Sequence, residues 1–354
     1  MVAQMGEQFS ATLDLSQRVG EQWANIESAR KLSQATLRQL REAFSDSDST
    51  DTSIVVYGSL AREEFTSGSD IDWNLIVDGI ADPNHHRLFL DAEQRIKRIA
   101  PKAVGREGTF EALASSHDLI HKIGGEDDTN RNLTRRLLLL LESTPVGNSM
   151  AHERLVKNIL KRYLQDDRSF WVGTTVHKHH IPHFLLNDPA RFWRTMAVDF
   201  AYKLRTRSGQ GWAIRNMKLR TSRKLLYAAG LLGCFRCHLE IGGTVSYDME
   251  PLITEGVQGI YETPLDMVAR FLLDHRHLDT TTAQLFGAYD DFLGLLADHN
   301  SRKHLEDLPE NEAKDDPVYR RARDISHRFR DALLDLFFDA ESGLAELTRL
   351  YGVF

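Results

Sequence analysis

Several features that define other protein classes are scarce or missing in this chain of 354 residues. Cysteine occurs twice, at Cys234 and Cys237, and two ligands cannot close a structural zinc site. Their position at the end of an apolar helical pattern favours free thiols. No apolar run approaches membrane-spanning length, and we expect no signal peptide and a cytoplasmic protein. Because no Gly-x-Gly-x-x-Gly or P-loop motif occurs, Rossmann and P-loop proteins are excluded.

The composition that remains is ordinary for a globular protein. Apolar residues make up 42% of the chain and charged residues 27%, and the formal net charge is −7. This charge argues against a general nucleic-acid coat, although it leaves room for local basic patches. The length suits two domains.

The most informative pattern is a Gly-Ser turn followed by two acids at alternate positions. Gly58 and Ser59 come directly after a short apolar run that predicts a buried strand. Gly58 permits a tight turn, and we expect Ser59 to open a helix over residues 60–65 whose free N–H groups suit a phosphate. Asp70 and Asp72 begin the next apolar run and, on a strand, project from one face. A phosphate site beside paired carboxylates is typical of metal-assisted phosphoryl or nucleotidyl transfer.

The same stretch resembles the signature of the nucleotidyltransferase superfamily related to polymerase beta, which is Gly-Ser, a spacer and Asp-x-Asp. Its fuller form, Gly-Ser-Leu-Ala-Arg-x-Glu followed by Ser-Asp-Ile-Asp, is most similar to the branch containing the uridylyltransferase that modifies the nitrogen-signalling PII protein. The resemblance implies the family fold over residues 50–150. It also implies a bound nucleoside triphosphate such as ATP and a divalent metal, Mg²⁺ or Mn²⁺. The residues that it places at the nucleotide are Gly58, Ser59, Arg62 and Ser69, and those at the metal are Asp70 and Asp72.

The resemblance further implies a third acid on a neighbouring strand. Glu107 and Glu111 are the candidates, and they share the parity of one predicted strand. We prefer Glu107, which lies between two glycines, as a catalytic and metal-binding residue. The family more often has Asp at this position, and the alternative is an exposed carboxylate on a strand.

Basic residues are the remaining candidates for the nucleotide site. Arg131 and Arg135 lie four apart on a predicted helix, where arginines can bind phosphate bidentately. The resemblance implies an Arg-bearing helix here, which favours Arg135. It also implies that a helical domain supplies a Lys or Arg to the triphosphate. Lys218 is the candidate, with Asn216 and Ser222 beside it. For both helices the alternative is a solvated polar face.

The predicted fold is α+β, with a small mixed-sheet nucleotidyltransferase domain, flanking helices and a C-terminal all-α bundle. We divide the chain into a helical segment (1–50), a catalytic domain (51–148) and a helical domain that binds nucleotide or substrate (149–354). The predicted strands are 54–57, the run that begins at the Asp pair, and 103–110. The predicted helices are 8–44 with a break near residue 15, 86–100, 130–142, 152–164, 188–204, 216–232, 265–275, 282–298 and 317–351, with a loop at 300–316.

These predictions converge on a Mg²⁺-dependent enzyme that transfers NMP from a nucleoside triphosphate to an acceptor hydroxyl. A protein side chain is the first hypothesis for the acceptor, because the similar branch modifies a protein. A synthase of cyclic-dinucleotide or oligonucleotide messengers is an alternative. So is a non-catalytic regulatory or toxin–antitoxin protein that keeps the fold. The sequence predicts neither the base nor the acceptor.

Overall fold

A mixed sheet of four strands, in the order β3-β2-β1-β4, lies in the first half of the chain. The computed structural model describes residues 10–47, 49–100, 110–167, 170, 179–206, 209–241 and 262–352. The strands are β1 (Thr52–Tyr57), β2 (Asp72–Val77), β3 (Leu113–Ser115) and β4 (Ser143–Pro145). β1 pairs antiparallel with β2 and β4, whereas β3 runs parallel to β2.

The sheet has helices on both faces. Ile54, Val56 and Trp73 pack on the side of α2 and α4, and Val55 and Tyr57 pack on the side of α6 and α7. The helices of this half are α1 (Ala11–Val19), α2 (Ala24–Ala43), α3 (Gly58–Ala61), α4 (Asn84–Ile99), α5 (Ser116–His121), α6 (Asn130–Leu141) and α7 (Met150–Asp166). A small mixed sheet within a mostly helical chain confirms the predicted fold class.

The second half is helical in its described residues. Its helices are α8 (His183–Thr206), α9 (Trp212–Arg220), α10 (Ser222–Ile241), α11 (Pro264–Leu273), α12 (Asp279–Ala297), α13 (His299–Asp307), α14 (Pro317–Phe337) and α15 (Leu344–Leu347). No described helix is long and apolar enough to cross a bilayer.

Several helix boundaries differ from those predicted, and three of the larger differences have a local cause. The first break lies after Gly20, not near residue 15, because Gly20 adopts φ +72° and its N–H bonds to Ser16 O. The predicted helix at 216–232 is two helices, separated at Thr221 (φ −119°, ψ −91°). Asp298 caps α13 through Ser301 N, so a helix replaces part of the predicted loop at 300–316. The predicted helix at 317–351 ends at Phe337.

The start of α8 shows how tertiary contacts override a capping signal. Asp188 and Pro189 predict a helix start, yet α8 begins at His183 and contains Pro189. Asp188 does not cap, because its carboxylate accepts hydrogen bonds from Arg136 and Tyr163 inside the core.

The third strand also differs from its prediction. Residues 103–109 of the predicted strand lie outside the described residues, and the strand paired with β2 is Leu113–Ser115. Phe110 and Glu111 lead into it, and Glu111 N donates to Trp73 O at 2.7 Å.

The N-terminal helices contact the C-terminal ones. Asp290 of α12 accepts hydrogen bonds from the backbone N–H groups of Asn25 and Ile26 at 2.8 and 2.9 Å. Asp266 of α11 accepts from Thr12 Oγ1 at 2.7 Å and from Arg30 at 2.7 Å. Helices that begin 119 residues or more after the last strand thus contact the segment that precedes the sheet. The domain division above stays a prediction.

Candidate active site

The turn after β1 brings the backbone of Gly58 against Asp72. Tyr57 pairs with Asp72 in the sheet, so Gly58 lies beside the first residue of β2. Gly58 has φ +67°, and a Cβ at this position would lie 2.8 Å from Asp72 Oδ2. Both the backbone conformation and the close contact therefore require glycine.

The helix that follows is shorter than predicted. α3 covers Gly58–Ala61, whereas residues 60–65 were expected to be helical. It ends early because Glu63 adopts φ +59°, which is outside the helical region. One helical turn is too short for a terminal anion site, so the predicted phosphate contact depends on Ser59 itself.

Asp70 and Asp72 line one cleft, while Ile71 between them is buried. Burial, followed by the charge of Asp70, raises the pKa of Asp72 to about 7. The charges of Arg223 and, less strongly, Lys218 act in the opposite direction and favour the carboxylate. Two carboxylates whose charges repel each other in a partly buried cleft would be stabilised by a cation bound between them.

The cleft has a volume of about 340 Å³ and lies between the sheet and the helices of the second half. It brings together eight of the residues predicted from the sequence: Gly58, Ser59, Arg62, Ser69, Asp70, Asp72, Lys218 and Ser222. Residues separated by about 150 positions thus meet at one surface. The expectation that the helical part closes the cleft therefore has a geometric basis.

The wall opposite the aspartates is cationic. It contains Lys203 of α8, Arg215 and Lys218 of α9, Arg223 of α10 and Arg302 of α13. Sequence reasoning missed Lys203, Arg223 and Arg302, since three different helices supply them. The only signal for Arg223 was its place next to Ser222 on a basic stretch. Such a wall suits a triphosphate, whose negative charge several donors must balance.

Arg62 lines the same cleft, but its guanidinium is engaged by protein carboxylates. Nε donates to Glu64 Oε2 at 2.8 Å, and Nη1 donates to Glu142 Oε2. Tyr289 of α12 completes the cluster by donating to Glu64 Oε1 at 2.7 Å. We call these four residues the cleft cluster. The charge of Glu142 also raises the pKa of Asp72, less strongly than burial and the charge of Asp70 do. Sequence reasoning missed Glu142 as well.

Two predicted residues that the structure describes, Asn216 and Arg135, do not line the cleft. Asn216 lies about 200° around α9 from Lys218, because two helical residues are separated by twice 100°, and it accepts a hydrogen bond from Tyr319 at 3.2 Å. Arg135 lines a different cavity, with His85 and Asp118. No described contact supports a place for Asn216 or Arg135 at the nucleotide, and their role there stays a prediction.

Glu111, the second candidate for the third acid, lies on the other side of the sheet. The pKa of Lys97 in α4 is raised by its hydrogen bond to Glu93 and, less strongly, by the charge of Glu111. Glu111 does not line the cleft, and its φ of +50° breaks the strand alternation on which its candidacy depended. Glu107 lies outside the described residues, so its role stays a prediction.

The described residues fit a metal site in part. Asp70 and Asp72 offer carboxylate oxygens, the ligands that Mg²⁺ and Mn²⁺ prefer. In the described parts of the chain, no group of three His, Cys, Asp or Glu side chains is placed to hold a metal ion. The two aspartates therefore form the described part of the candidate metal site.

Comparison with known protein families agrees with this site. The family model of the nucleotidyltransferase domain matches residues 37–104. The match includes β1, the Gly58 turn and both aspartates, and it ends well before the cationic helices. No curated protein matches the chain. The match indicates a nucleotidyltransferase domain in this part of the chain, and it does not distinguish the uridylyltransferase-like branch.

Proposed function

We propose that the chain is a Mg²⁺-dependent nucleotidyltransferase that moves NMP from a nucleoside triphosphate to an acceptor hydroxyl. The observation that supports this most directly is the pair Asp70 and Asp72 facing a cationic wall across one cleft. A site for phosphoryl transfer needs both halves, because the nucleotide brings negative charge and more charge gathers on the leaving pyrophosphate.

The residues divide between the two halves of this task. Asp70 and Asp72 would hold the metal, which would neutralise charge and activate the attacking oxygen. Lys218, Arg215 and Arg223 bind and orient the phosphates. The acceptor oxygen forms a bond to the α-phosphorus while the bond to the bridging oxygen breaks. Pyrophosphate leaves, and the hydroxyl proton passes to water.

The finer parts of the proposal rest on the resemblance. It supports a protein side chain as the first acceptor to test and ATP among the nucleotides. A messenger synthase and a non-catalytic protein remain as alternatives. Keeping both Asp70 and Asp72 in one cleft argues against the non-catalytic alternative.

The test is the double substitution Asp70→Asn with Asp72→Asn. We expect Mg²⁺-dependent transfer from labelled triphosphates to vanish, because the amides cannot hold the metal, while the melting temperature stays close to that of the parent. A matched control is Asp51→Asn with Asp78→Asn. It removes the same charge at the opposite end of β2, where Asp78 pairs with Arg154 at 2.8 Å. Undiminished turnover in the first variant would refute the metal assignment.

A further inference from the structure

Glu142 lies beside the turn that follows β1 and is closed off from solvent. Tyr57 of β1 pairs with Ser143 of β4, so Glu142, the residue before β4, lies next to Gly58 at the start of the turn. Its side chain is 0% exposed, and it does not line the cleft. A carboxylate placed in this way cannot touch a nucleotide itself. Any effect of Glu142 on the reaction must therefore act through a neighbouring side chain.

The cleft cluster, to which Glu142 belongs, is one positive charge short of neutrality. Arg62 pairs with Glu64 at 2.8 Å and with Glu142 Oε2. Tyr289 contributes a neutral hydroxyl, which donates to Glu64. One guanidinium and two carboxylates leave a formal charge of −1. Because an uncompensated buried charge is costly, the cluster needs a second cation.

Arg223 of α10 supplies that second cation. Its Nη1 lies 3.7 Å from Glu142 Oε1, which is buried and accepts no hydrogen bond within the described residues. In the same described part of the chain, no other carboxylate forms an ion pair with Arg223. The two oxygens of Glu142 thus contact two arginines, Arg62 in the turn and Arg223 in a helix of the second half.

The place of Arg223 in α10 makes this counter-ion necessary. Arg223 lies in the first turn of the helix, which contains no acid. The amino end of a helix carries partial positive charge and disfavours a cation. A further acid close to Arg223 is Asp72, since burial and the charge of Asp70 raise the pKa of Asp72 and the charge of Arg223 acts against them. Without Glu142, Arg223 would be drawn to Asp72, the carboxylate that the metal site requires.

Arg223 is open to the cleft on its other side. Its side chain is 30% exposed, and it lines the cleft together with Arg215 and Lys218. The buried acid therefore holds Arg223 from behind, while part of the guanidinium faces the space for the phosphates. A donor that is fixed before the substrate arrives costs no reorganisation at the moment of reaction.

We propose that Glu142 is a positioning residue, which fixes Arg223 at the phosphate side of the cleft and keeps it away from Asp72. This inference rests on the proposed nucleotidyl transfer. A simple charge effect would have the opposite sign, because an acid close to the cleft repels a triphosphate. Loss of the Glu142 charge should therefore weaken triphosphate binding if Glu142 positions Arg223, and strengthen it if only its charge matters.

The test is a double-mutant cycle on triphosphate binding. Calorimetry is done with Mg²⁺ and whichever of ATP, GTP, CTP and UTP the parent binds most tightly. Arg223→Gln should weaken binding by about ten- to a hundredfold, the range for a hydrogen bond to a charged group, and Glu142→Gln by about tenfold. Because Glu142 acts through Arg223, the double variant should bind like Arg223→Gln, within about twofold.

Asp128→Asn is the matched control. Asp128 is also a buried carboxylate between two arginines, Arg136 at 3.0 Å and Arg191 at 2.9 Å, and it does not line the cleft. The substitution should lower the melting temperature, as Glu142→Gln does. It should leave the triphosphate affinity within about twofold of the parent, because the site is distant from Arg223.

Two results with the variants would overturn the proposal. One is unchanged or tighter triphosphate binding in Glu142→Gln, and the other is a double variant in which the two single losses multiply. If Glu142→Gln does not fold, urea unfolding of Arg223→Gln takes its place. This variant should be less stable than the parent, because Glu142 loses its second cation, and parent-like stability would count against us.

The same calorimetry distinguishes the failure of this inference from that of the proposed function. If the parent binds no triphosphate, the proposed function is refuted and the positioning role with it. If the parent binds triphosphate but the two losses multiply, only the positioning role is refuted.

Discussion

Two buried arginines, Arg62 and Arg136, have similar chemistry and different surroundings. Arg62 is 6% exposed and lies between Glu64 and Glu142, and Arg136 is 0% exposed and lies between Asp128 and Asp188. In both clusters a tyrosine donates to one of the carboxylates. The pattern of one guanidinium, two acids and one phenol thus occurs twice in the fold.

The two clusters differ in what lies next to them. The cleft cluster contains Arg62 and Glu64, which line the cleft, and Glu142, whose charge acts on Asp72. By contrast, none of the groups around Arg136 lines the cleft. They join α6, α7 and α8 instead. The comparison teaches that burial of an ion pair says nothing about function, whereas contact with the cleft does.

The largest effect on stability is expected at the cluster formed by Arg136, Asp128, Asp188 and Tyr163. Arg136→Met leaves Asp188 buried without a counter-charge and leaves Asp128 with Arg191 alone, at 2.9 Å. Removing one partner of a buried ion pair costs about 3–5 kcal/mol of unfolding free energy. Urea unfolding at neutral pH measures this loss. Adding Asp128→Asn and Asp188→Asn should recover part of it, because neutral amides need no cation. No recovery would show that packing, not charge, sets the cost.

Arg62→Met sharpens the comparison. It should also destabilise the fold, because Glu64 loses its cation and Glu142 keeps only Arg223, at 3.7 Å. Unlike Arg136→Met, it should lower turnover in protein that is still folded. Arg136→Met, measured below its unfolding transition, should turn over within a few-fold of the parent. If both variants lost activity equally, contact with the cleft would not distinguish the two clusters in function.

Lys218→Ala tests the opposite wall of the cleft. Removing an ammonium that favours charge on the leaving pyrophosphate should reduce turnover by about ten- to a thousandfold, the scale of a single electrostatic donor. Stability should change by less than about 0.5 kcal/mol. Lys161→Ala, an exposed lysine of α7 outside the cleft, is the control. Parent-like turnover in Lys218→Ala would leave Arg215 and Arg223 as the phosphate ligands.

Sequence reasoning succeeded where the chemistry is local. Gly58, Asp70 and Asp72 lie within fifteen residues. Although β2 begins only at Asp72, both carboxylates line one cleft, as strand alternation predicted. Lys218 was found because a resemblance pointed to a cation on a helix with one polar face.

It failed where distant elements converge. Glu142 ends a leucine-rich helix and looks like a simple boundary, yet it binds Arg62 from 80 positions earlier. Arg302 lies in a charged stretch predicted to be a loop, and it reaches Thr66 across 236 positions at 3.1 Å. Asn216 was grouped with Lys218 although two helical positions differ by about 200°, and its side chain contacts Tyr319 instead of the cleft. Periodicity describes a helix face, but it does not say which neighbour covers that face.

His152 extends the comparison to a buried imidazole. Its ring is buried, and Nε2 lies 2.8 Å from Ser143 Oγ beneath β4. Burial lowers its pKa to about 4, whereas the unfolded chain has the ordinary value of about 6.5. Below pH 6.5 the unfolded state binds a proton that the folded state refuses, so stability falls with pH until about pH 4. Linkage predicts a loss of about 2 kcal/mol between pH 7.5 and pH 5.

Urea unfolding at these two pH values, on the parent and on His152→Gln, measures that loss. The variant should be less stable than the parent at pH 7.5, because a buried site must repack. Between pH 7.5 and pH 5, however, it should lose about 2 kcal/mol less stability than the parent. His277→Gln is the control of opposite sign. The hydrogen bond that His277 donates to the Asp339 carboxylate raises the pKa of exposed His277. Its contribution to stability is therefore present below the ordinary pKa and is lost as the pH rises. The His277→Gln variant should therefore keep the loss of stability between pH 7.5 and pH 5. If His152→Gln kept the full loss of stability between pH 7.5 and pH 5, groups other than His152 would cause the acid sensitivity, and burial of this imidazole would not contribute to it.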